Sequence, residues 1–162
     1  MTLFIECVVG IIIFSLIVVP LTMRDPVGSL GDYPEAIRER CIELGIIESR
    51  KIRLSRREII KKILAVIVLM ILLAYVLKRF NHAESIAAGF INSYVIWLAI
   101  AWWDAIVIDC GWFCHSKRVI IPGTEGMKEY KDYLFHIKES LIGSLIGLPV
   151  CLVIGLIVNF WR

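Results

Sequence analysis

Four long apolar runs dominate the pattern of hydrophobic and polar positions along the chain. They cover residues 2–23, 63–77, 86–114 and 141–161. A helix needs about 20 mostly apolar residues to cross a bilayer. The second run has only 15 uncharged residues, and the basic residues at its two ends extend it by reaching the lipid headgroups.

The pattern therefore predicts an all-α polytopic integral membrane protein, with four transmembrane helices in one bundle and a short amphipathic cytoplasmic helix. The predicted spans are about 2–23, 58–79, 86–114 and 139–161, with loops 24–57 and 115–138. Composition agrees with a membrane protein, since 59% of the 162 residues are hydrophobic against about 45–50% in soluble domains. The first run lacks the basic start of a signal peptide, so we expect a retained helix.

Lysine and arginine counts predict the orientation of the bundle. Residues 24–62 hold ten of them and residues 115–140 hold five, whereas the opposite side has only Lys78, Arg79 and Arg162. Because positive loops remain in the cytoplasm, the sequence predicts a multi-pass protein of the cell membrane. Both long loops then face the cytoplasm and both termini lie outside.

Each long loop carries signs of helical structure. In the first, Asp32 and Glu35 have the spacing of a helix start, and Gly45 is a typical stop. A short amphipathic helix of about residues 33–44 is expected there, resting on the membrane surface or on the bundle. In the second loop, Thr124 is predicted to cap a helix that continues into the fourth span.

The end of the first loop is strongly basic. Ser55 and Glu58 form a capping box that predicts the start of the second helix. The basic cluster either sets the orientation or binds anionic lipid headgroups. Nucleic acid is not expected, because the cluster abuts the bilayer and lacks interleaved aromatic residues. The candidate headgroup residues are Arg53, Arg56, Arg57, Lys61 and Lys62.

The third span, with the segment AIAWWDAIVIDCGWFCH, is polar on several sides. At about 100° per residue, Ser93, Trp97, Asp104 and His115 fall on one line. Asp109 lies about 140° round the same helix from Asp104, so the two carboxylates are expected on different faces. A helix with polar groups on several sides is predicted to be the central one, enclosed by the other three.

Ionisable residues inside a membrane are rare and usually functional, since a charged Asp at the centre costs about 2.5–3.5 kcal/mol. The functional hypothesis is a site that opens to the cytoplasm, and the structural one is that the aspartates cap helices, pair with loop arginines or fix packing. The candidate ligand-binding residues are Asp104, Asp109, His115, Trp97, Ser93, Glu125, Tyr130 and His136.

Cys110, Cys114 and His115 do not have a zinc-site spacing. The five cysteines, of which Cys41 belongs to a cytoplasmic loop, do not form a disulfide framework either. We therefore predict neither a metal nor a cofactor, and interpret the cysteines as small apolar residues.

The fourth span has a small residue at every fourth position, which lets helix backbones approach closely. This stripe packs either inside the bundle or against a second copy in a homo-oligomer. Its members are Gly143, Gly147, Cys151 and Gly155. Pro149 in the same span is expected to kink the helix.

Three function classes remain open from the sequence. The first is a small membrane protein that binds or conducts an ion or small ligand at a polar intramembrane site. The second is a membrane-embedded enzyme that acts on a lipid or amphiphile at the cytoplasmic face, with Asp and His as acid and base. The third is an adaptor that docks a partner through its basic loop.

Overall fold

The computed structural model describes residues 2–48 and 56–161, and their regular structure is entirely helical. Helix α1 spans Thr2–Arg24, α2 spans Glu35–Glu43, α3 spans Arg56–Phe80, α4 spans Ile86–Trp103 and α5 spans Tyr133–Phe160. A π-helix, Asp104–Trp112, continues α4 directly. Short 3-10 turns occupy Leu30–Asp32, Phe113–His115, Lys117–Val119 and Lys128–Lys131.

Four helical segments are long and apolar enough to cross a membrane, which confirms the predicted four-helix membrane bundle. They are Thr2–Arg24, Ile59–Phe80, Ile86–His115 and Tyr133–Phe160. The third consists of α4, the π-helix and the 3-10 turn after it. Their outward faces carry large exposed apolar side chains such as Phe4, Leu69 and Leu145, as expected for surfaces in contact with lipid.

Helix α4 is the central helix, because it packs on α1, α3 and α5. Its contact with α5 is the most extensive, and small residues explain why. A Cβ atom added to Gly89 would lie 2.9 Å from the Cα atom of Gly155, and one added to Gly155 would lie 2.6 Å from the carbonyl oxygen of Ile86. Backbone therefore meets backbone here, as in other small-residue helix contacts.

Further along the same contact, Trp97 fills the space that Gly147 leaves open. The indole Nε1 of Trp97 donates a hydrogen bond to the carbonyl oxygen of Gly143 at 3.0 Å. A Cβ atom on Gly147 would lie 2.5 Å from that same nitrogen, and Cys151 is fully buried one turn later. Of the two expected roles of the stripe, the structure shows packing inside the bundle. Pro149 lies within the continuous helix α5.

The two long loops pack on each other at one end of the bundle. Helix α2 buries Ile37 and Cys41 completely in a cluster with Phe113 and Val119. The Tyr33 hydroxyl donates to the carbonyl oxygen of Val119 at 2.9 Å. Burial raises the pKa of the Cys41 thiol. The amphipathic helix thus lies within the predicted range and rests on the second loop.

Two details of the loops differ from expectation. Residue Pro34, which has no capping side chain, precedes α2, and Asp32 belongs to the preceding 3-10 turn. In the second loop, Gly123 and Gly126 adopt positive φ angles of 89° and 81°, which an α-helix does not allow. The helix predicted from Thr124 is therefore interrupted, and α5 begins only at Tyr133.

Two hydrogen bonds show which residue of the second loop caps a helix. The Thr124 hydroxyl donates to the carbonyl oxygen of Ile121 at 2.7 Å instead of capping a helix. Asp132 caps α5, since its Oδ1 accepts from the backbone N–H of Phe135 at 3.0 Å. For α3, the expected capping residue Ser55 and the basic Arg53 lie outside the described residues.

The first half of α3 is exposed on every side. Arg56, Arg57 and residues 59–69 are all exposed, and only Ala74 and Leu77 in the second half of the helix are fully buried. The candidate headgroup residues Lys61 and Lys62 are therefore exposed, near the end of α3 next to the loops.

The backbone contact between α4 and α5 generates a prediction about stability. Gly155→Ala places a methyl group against the Ile86 carbonyl oxygen and should cost about 1–3 kcal/mol through overpacking. Gly143→Ala is the matched control, because a Cβ there meets nothing within 4 Å. In neutral detergent, the unfolding temperature should fall for Gly155→Ala and stay level or rise for Gly143→Ala. Equal unfolding temperatures would contradict the packing.

Candidate functional site

The π-helix changes the relation between the two intramembrane aspartates. Its hydrogen bonds reach five residues back, as between the backbone N–H of Phe113 and the carbonyl oxygen of Ile108. Because a π-helix has more residues per turn, two positions five apart are separated by a smaller angle than the about 140° of an α-helix. Asp104 and Asp109 are five apart and line the same cavity. The expectation that they occupy different faces is wrong, because it assumed α-helical geometry throughout.

This cavity has a volume of about 420 Å³ and lies beside the π-helix, between α1 and α5. Two α1 side chains, Phe14 and Val18, form one wall together with the buried Thr22. Phe135, His136, Glu139, Ser140 and Gly143 of α5 form the opposite wall. The 3-10 turn before α2 covers the end with Gly31 and Asp32. The cavity therefore lies at the end of the bundle where both long loops are.

The cavity collects four carboxylates, which are Asp32, Asp104, Asp109 and Glu139. They come from the first loop, the π-helix and the first turns of α5. No lysine or arginine is among the described residues that line it. The only other ionisable lining residue is His136. The site thus has a strong negative potential inside a mostly apolar bundle.

Asp109 and His136 form a pair within the cavity wall. The Asp109 Oδ2 and the His136 Nδ1 are 3.1 Å apart, and the His136 side chain is only 3% exposed. The rings of Phe113 and Phe135 pack edge-on against the imidazole, with centroid distances of 5.4 and 5.2 Å. Because the ionised carboxylate only accepts, Nδ1 carries the proton in this pair.

Two polar atoms in the cavity wall are buried without a partner among the described residues: Asp104 Oδ1 and His136 Nε2. The nearby Ser140 hydroxyl already donates to the carbonyl oxygen of Ala101 at 3.1 Å. Leaving a buried polar group unpaired costs about 1–3 kcal/mol. Two such groups in one cavity indicate a place where water or a ligand supplies the missing partners.

The carboxylates also influence one another. Desolvation raises the pKa of Asp32, and the nearby charge of Asp109 raises it further, while Lys62 and His136 act in the opposite direction. Asp32 lies outside the spanning helices, so the negative field of the cavity extends to its loop end. Mutual repulsion of this kind favours either protonation or a bound positive charge.

Of the eight candidate residues, the structure brings together Asp104, Asp109 and His136. Ser93 and Trp97 lie instead in the contact between α4 and α5. Ser93 is fully buried and donates to the carbonyl oxygen of Gly89 at 2.7 Å. Both residues therefore pack the bundle and do not line the cavity.

His115, Glu125 and Tyr130 lie in the second loop or at its start, outside the cavity. His115 is exposed, with its Nδ1 3.1 Å from the carbonyl oxygen of Gly111. The Glu125 carboxylate accepts from the backbone N–H of Gly123 at 2.8 Å. Tyr130 is buried, and its hydroxyl accepts from the backbone N–H of Ile121 at 3.0 Å. These bonds hold the loop in its fold.

Sequence reasoning missed Asp32, Thr22, Glu139 and Ser140 as lining residues. Asp32 was interpreted as a helix cap. The sequence of α5 did contain a pattern that indicates lining residues. One helix face, with three- and four-residue spacing, carries His136, Glu139, Ser140 and Gly143, and Gly143 is also the first residue of the small-residue stripe.

The placement of the potential metal ligands in the structure bears on whether they can bind a metal ion. Within residues 2–48 and 56–161, no three His, Cys, Asp or Glu side chains are placed to hold one metal ion together. Cys114 is buried in the apolar cluster with Ile37, Cys41 and Phe113.

No protein-family model, no curated protein and no solved structure matches this chain. The geometry and charge of the cavity are therefore the basis for assigning a function.

The unpaired oxygen of Asp104 and the paired oxygen of Asp109 generate opposite predictions. Asp104→Asn should leave the unfolding temperature in detergent unchanged or raise it, because it removes a carboxylate that lacks a partner. Asp109→Ala should lower stability by about 1–3 kcal/mol, because it strands the buried Nδ1–H of His136. Asp109→Asn is the control that keeps an acceptor, and it should lose less. A large loss at Asp104→Asn would make Asp104 a packing residue.

Proposed function

We propose that this protein binds a small positively charged ligand in the cavity beside the π-helix. The observation that carries the proposal is the convergence of four carboxylates with no lysine or arginine among the described residues of the cavity lining. Uncompensated charges in a low-dielectric environment are costly. A bound cation offsets both the desolvation and the mutual repulsion of these carboxylates.

The size and walls of the cavity favour an organic cation over a bare metal ion. A volume of about 420 Å³ lies in the range of small-molecule pockets, roughly 300–1,000 Å³. The rings of Phe14, Trp112, Phe113 and Phe135 line it, and aromatic faces attract ammonium groups. An amine or quaternary ammonium with an apolar part matches this mixture of carboxylates and rings.

Binding is favoured over open conduction by the packing at the other end of the bundle. There, Ala74, Leu77, Ile96, Ile154 and Val158 form a closely packed apolar cluster. Passage of a ligand from the cavity to the far side of the bundle thus requires the helices to rearrange.

The Asp109–His136 pair supports one alternative, a membrane-embedded enzyme. A histidine whose Nδ1 is held by a carboxylate and whose Nε2 is free has the arrangement of a general base. The described lining lacks the lysine or arginine that would hold a phosphate group. The substrate of such an enzyme would therefore be a neutral or cationic amphiphile. His136→Gln would abolish turnover by an enzyme, whereas binding alone depends mainly on the carboxylates.

A direct binding measurement tests the proposal. Benzyltrimethylammonium is titrated into the purified protein in neutral detergent, with Trp112 fluorescence or calorimetry as the readout. Asp104→Asn and Asp109→Asn should each weaken binding about 10-fold or more, because a charge-assisted contact contributes about 1.5–3 kcal/mol. Binding should also weaken as pH falls, beginning at a higher pH than ordinary carboxyls would require, since the pKa of Asp32 is raised.

Two controls make that result specific. Neopentylbenzene, the neutral molecule of the same shape, should bind much more weakly than the cation. Glu43→Gln removes one carboxylate at the loop end, where Glu43 pairs with Arg40 outside the cavity, and should not change affinity. Equal binding of the neutral molecule, or equal affinity of the Asp variants, contradicts the proposal.

The orientation of the cavity toward the cytoplasm remains a prediction from the positive charge of the loops. Cys41 is unsuitable as a reporter because it is fully buried, so exposed positions at the two ends are used instead. Glu48→Cys in the first loop and Glu84→Cys in the turn before α4 both place a thiol at an exposed site. A membrane-impermeant maleimide should label Glu84→Cys in intact cells, and Glu48→Cys only after permeabilisation. The reverse pattern would invert the orientation.

A further inference from the structure

A second concave surface lies at the loop end, on the other side of Phe113 from the acidic cavity. It is a groove of about 520 Å³ formed by the turns at residues 113–117 and 126–131. Its apolar lining includes Phe113, Ile120 and Met127, and its charged residues are Lys117, Lys128 and Lys131. Phe113 lines both sites. The groove is therefore basic where the neighbouring cavity is acidic.

The same loop also carries the acidic residues Glu125, Glu129 and Asp132, and Glu129 lies between Lys128 and Lys131 in the sequence. Glu125 accepts from the Gly123 backbone, and Asp132 caps α5. No acidic residue is among the described residues that line the groove. Across the described chain, the salt bridges are Arg40–Glu43 and Asp109–His136, and neither involves a groove lysine. The three lysines thus share one concave surface, and none of them makes an ion pair among the described residues.

Two further side chains define what the groove offers. The Ser116 hydroxyl oxygen accepts from the backbone N–H of Arg118 at 3.3 Å, so its own proton is available to donate. His115 is already bound at both ring nitrogens, to the Gly111 carbonyl oxygen and to the Tyr133 hydroxyl. The groove thus provides three ammonium groups and one hydroxyl, a donor set suited to phosphate oxygens.

The position of the groove selects the kind of phosphate. His115 ends the third spanning segment and Tyr133 begins the fourth, so the groove lies between two helix ends at the level of the headgroups. The apolar lining adjoins the ammonium groups, which matches a headgroup whose phosphate continues into a glycerol and acyl chains. A soluble anion would make no use of that lining.

We propose that the groove of Lys117, Lys128, Lys131 and Ser116 binds the phosphate of an anionic lipid headgroup. This site is distinct from the basic residues of α3, which lie on an exposed part of that helix. Apart from Phe113, the groove and the acidic cavity have different lining residues, so either proposal can fail without the other.

The test compares two triple variants that remove the same number of charges. The full-length protein in neutral detergent is titrated with phosphatidylglycerol or phosphatidylcholine of identical acyl chains, and bound lipids are counted by native mass spectrometry. The wild type should prefer the first phosphatidylglycerol by at least about 10-fold. Lys117→Gln/Lys128→Gln/Lys131→Gln should lose about 10- to 100-fold in affinity for this lipid. Each lysine near an anionic lipid surface contributes a favourable electrostatic interaction, and the variant removes three of them.

The control Arg56→Gln/Arg57→Gln/Lys61→Gln should keep the preference for the first phosphatidylglycerol. Equal losses in the two triple variants would mean general attraction between charges and would overturn the site. Inorganic phosphate at millimolar concentration is added as a competitor. If it displaces the lipid, the groove binds a soluble anion and the assignment to a headgroup is wrong. The unfolding temperature of the lysine variant should match that of the wild type, which excludes a loss through misfolding.

Discussion

The backbone contact between α4 and α5 fixes the geometry on which the rest of the bundle depends. Gly89 meets Gly155 at one end of this contact, and Trp97 is held against Gly143 in the middle. Ser140 is bonded to Ala101 nearer the loops. With these antiparallel pairs set, the next residues to meet are Asp109 and His136. From the Gly89–Gly155 contact to the Asp109–His136 pair, the third span adds 20 residues and α5 adds 19, and the wider π-helix accommodates the extra residue.

The electrostatics of the cavity follow from that register. The π-helix begins at Asp104 and brings Asp109 to His136, and both aspartates line the cavity between α1 and α5. Asp32 then closes the loop end only because α2 and its preceding turn are anchored by Tyr33 on Val119. The first loop, the π-helix and α5 each supply one or two of the four carboxylates. None of these carboxylates would be stable in contact with hydrocarbon. The negative site is thus a product of tertiary packing, with no local motif that concentrates the acids in sequence.

The sequence was sufficient for the spans, the central position of α4 and the packing role of the small-residue stripe. All three depend on apolar content and on spacing along regular helices, which a single chain reveals directly. The π-helix was not predictable in this way, because Ala105 to Ile108 are apolar and fit either helix type. That one local change moved Asp109 to the side of Asp104. Asp32 was missed for a related reason, since the residue types that cap helices are also those that line polar sites.

The acidic cavity and the basic groove share the wall formed by Phe113, and this arrangement has an electrostatic consequence. At an effective dielectric well below that of water, charges on the two sides of one aromatic ring interact appreciably. The field of the groove lysines favours ionised carboxylates in the cavity, and the carboxylates stabilise the ammonium groups in turn. An anion bound to the groove would cancel part of that field and leave the carboxylates with less compensation. A cation in the cavity would then become more favourable, so occupancy of one site by an anion and of the other by a cation would be mutually reinforcing.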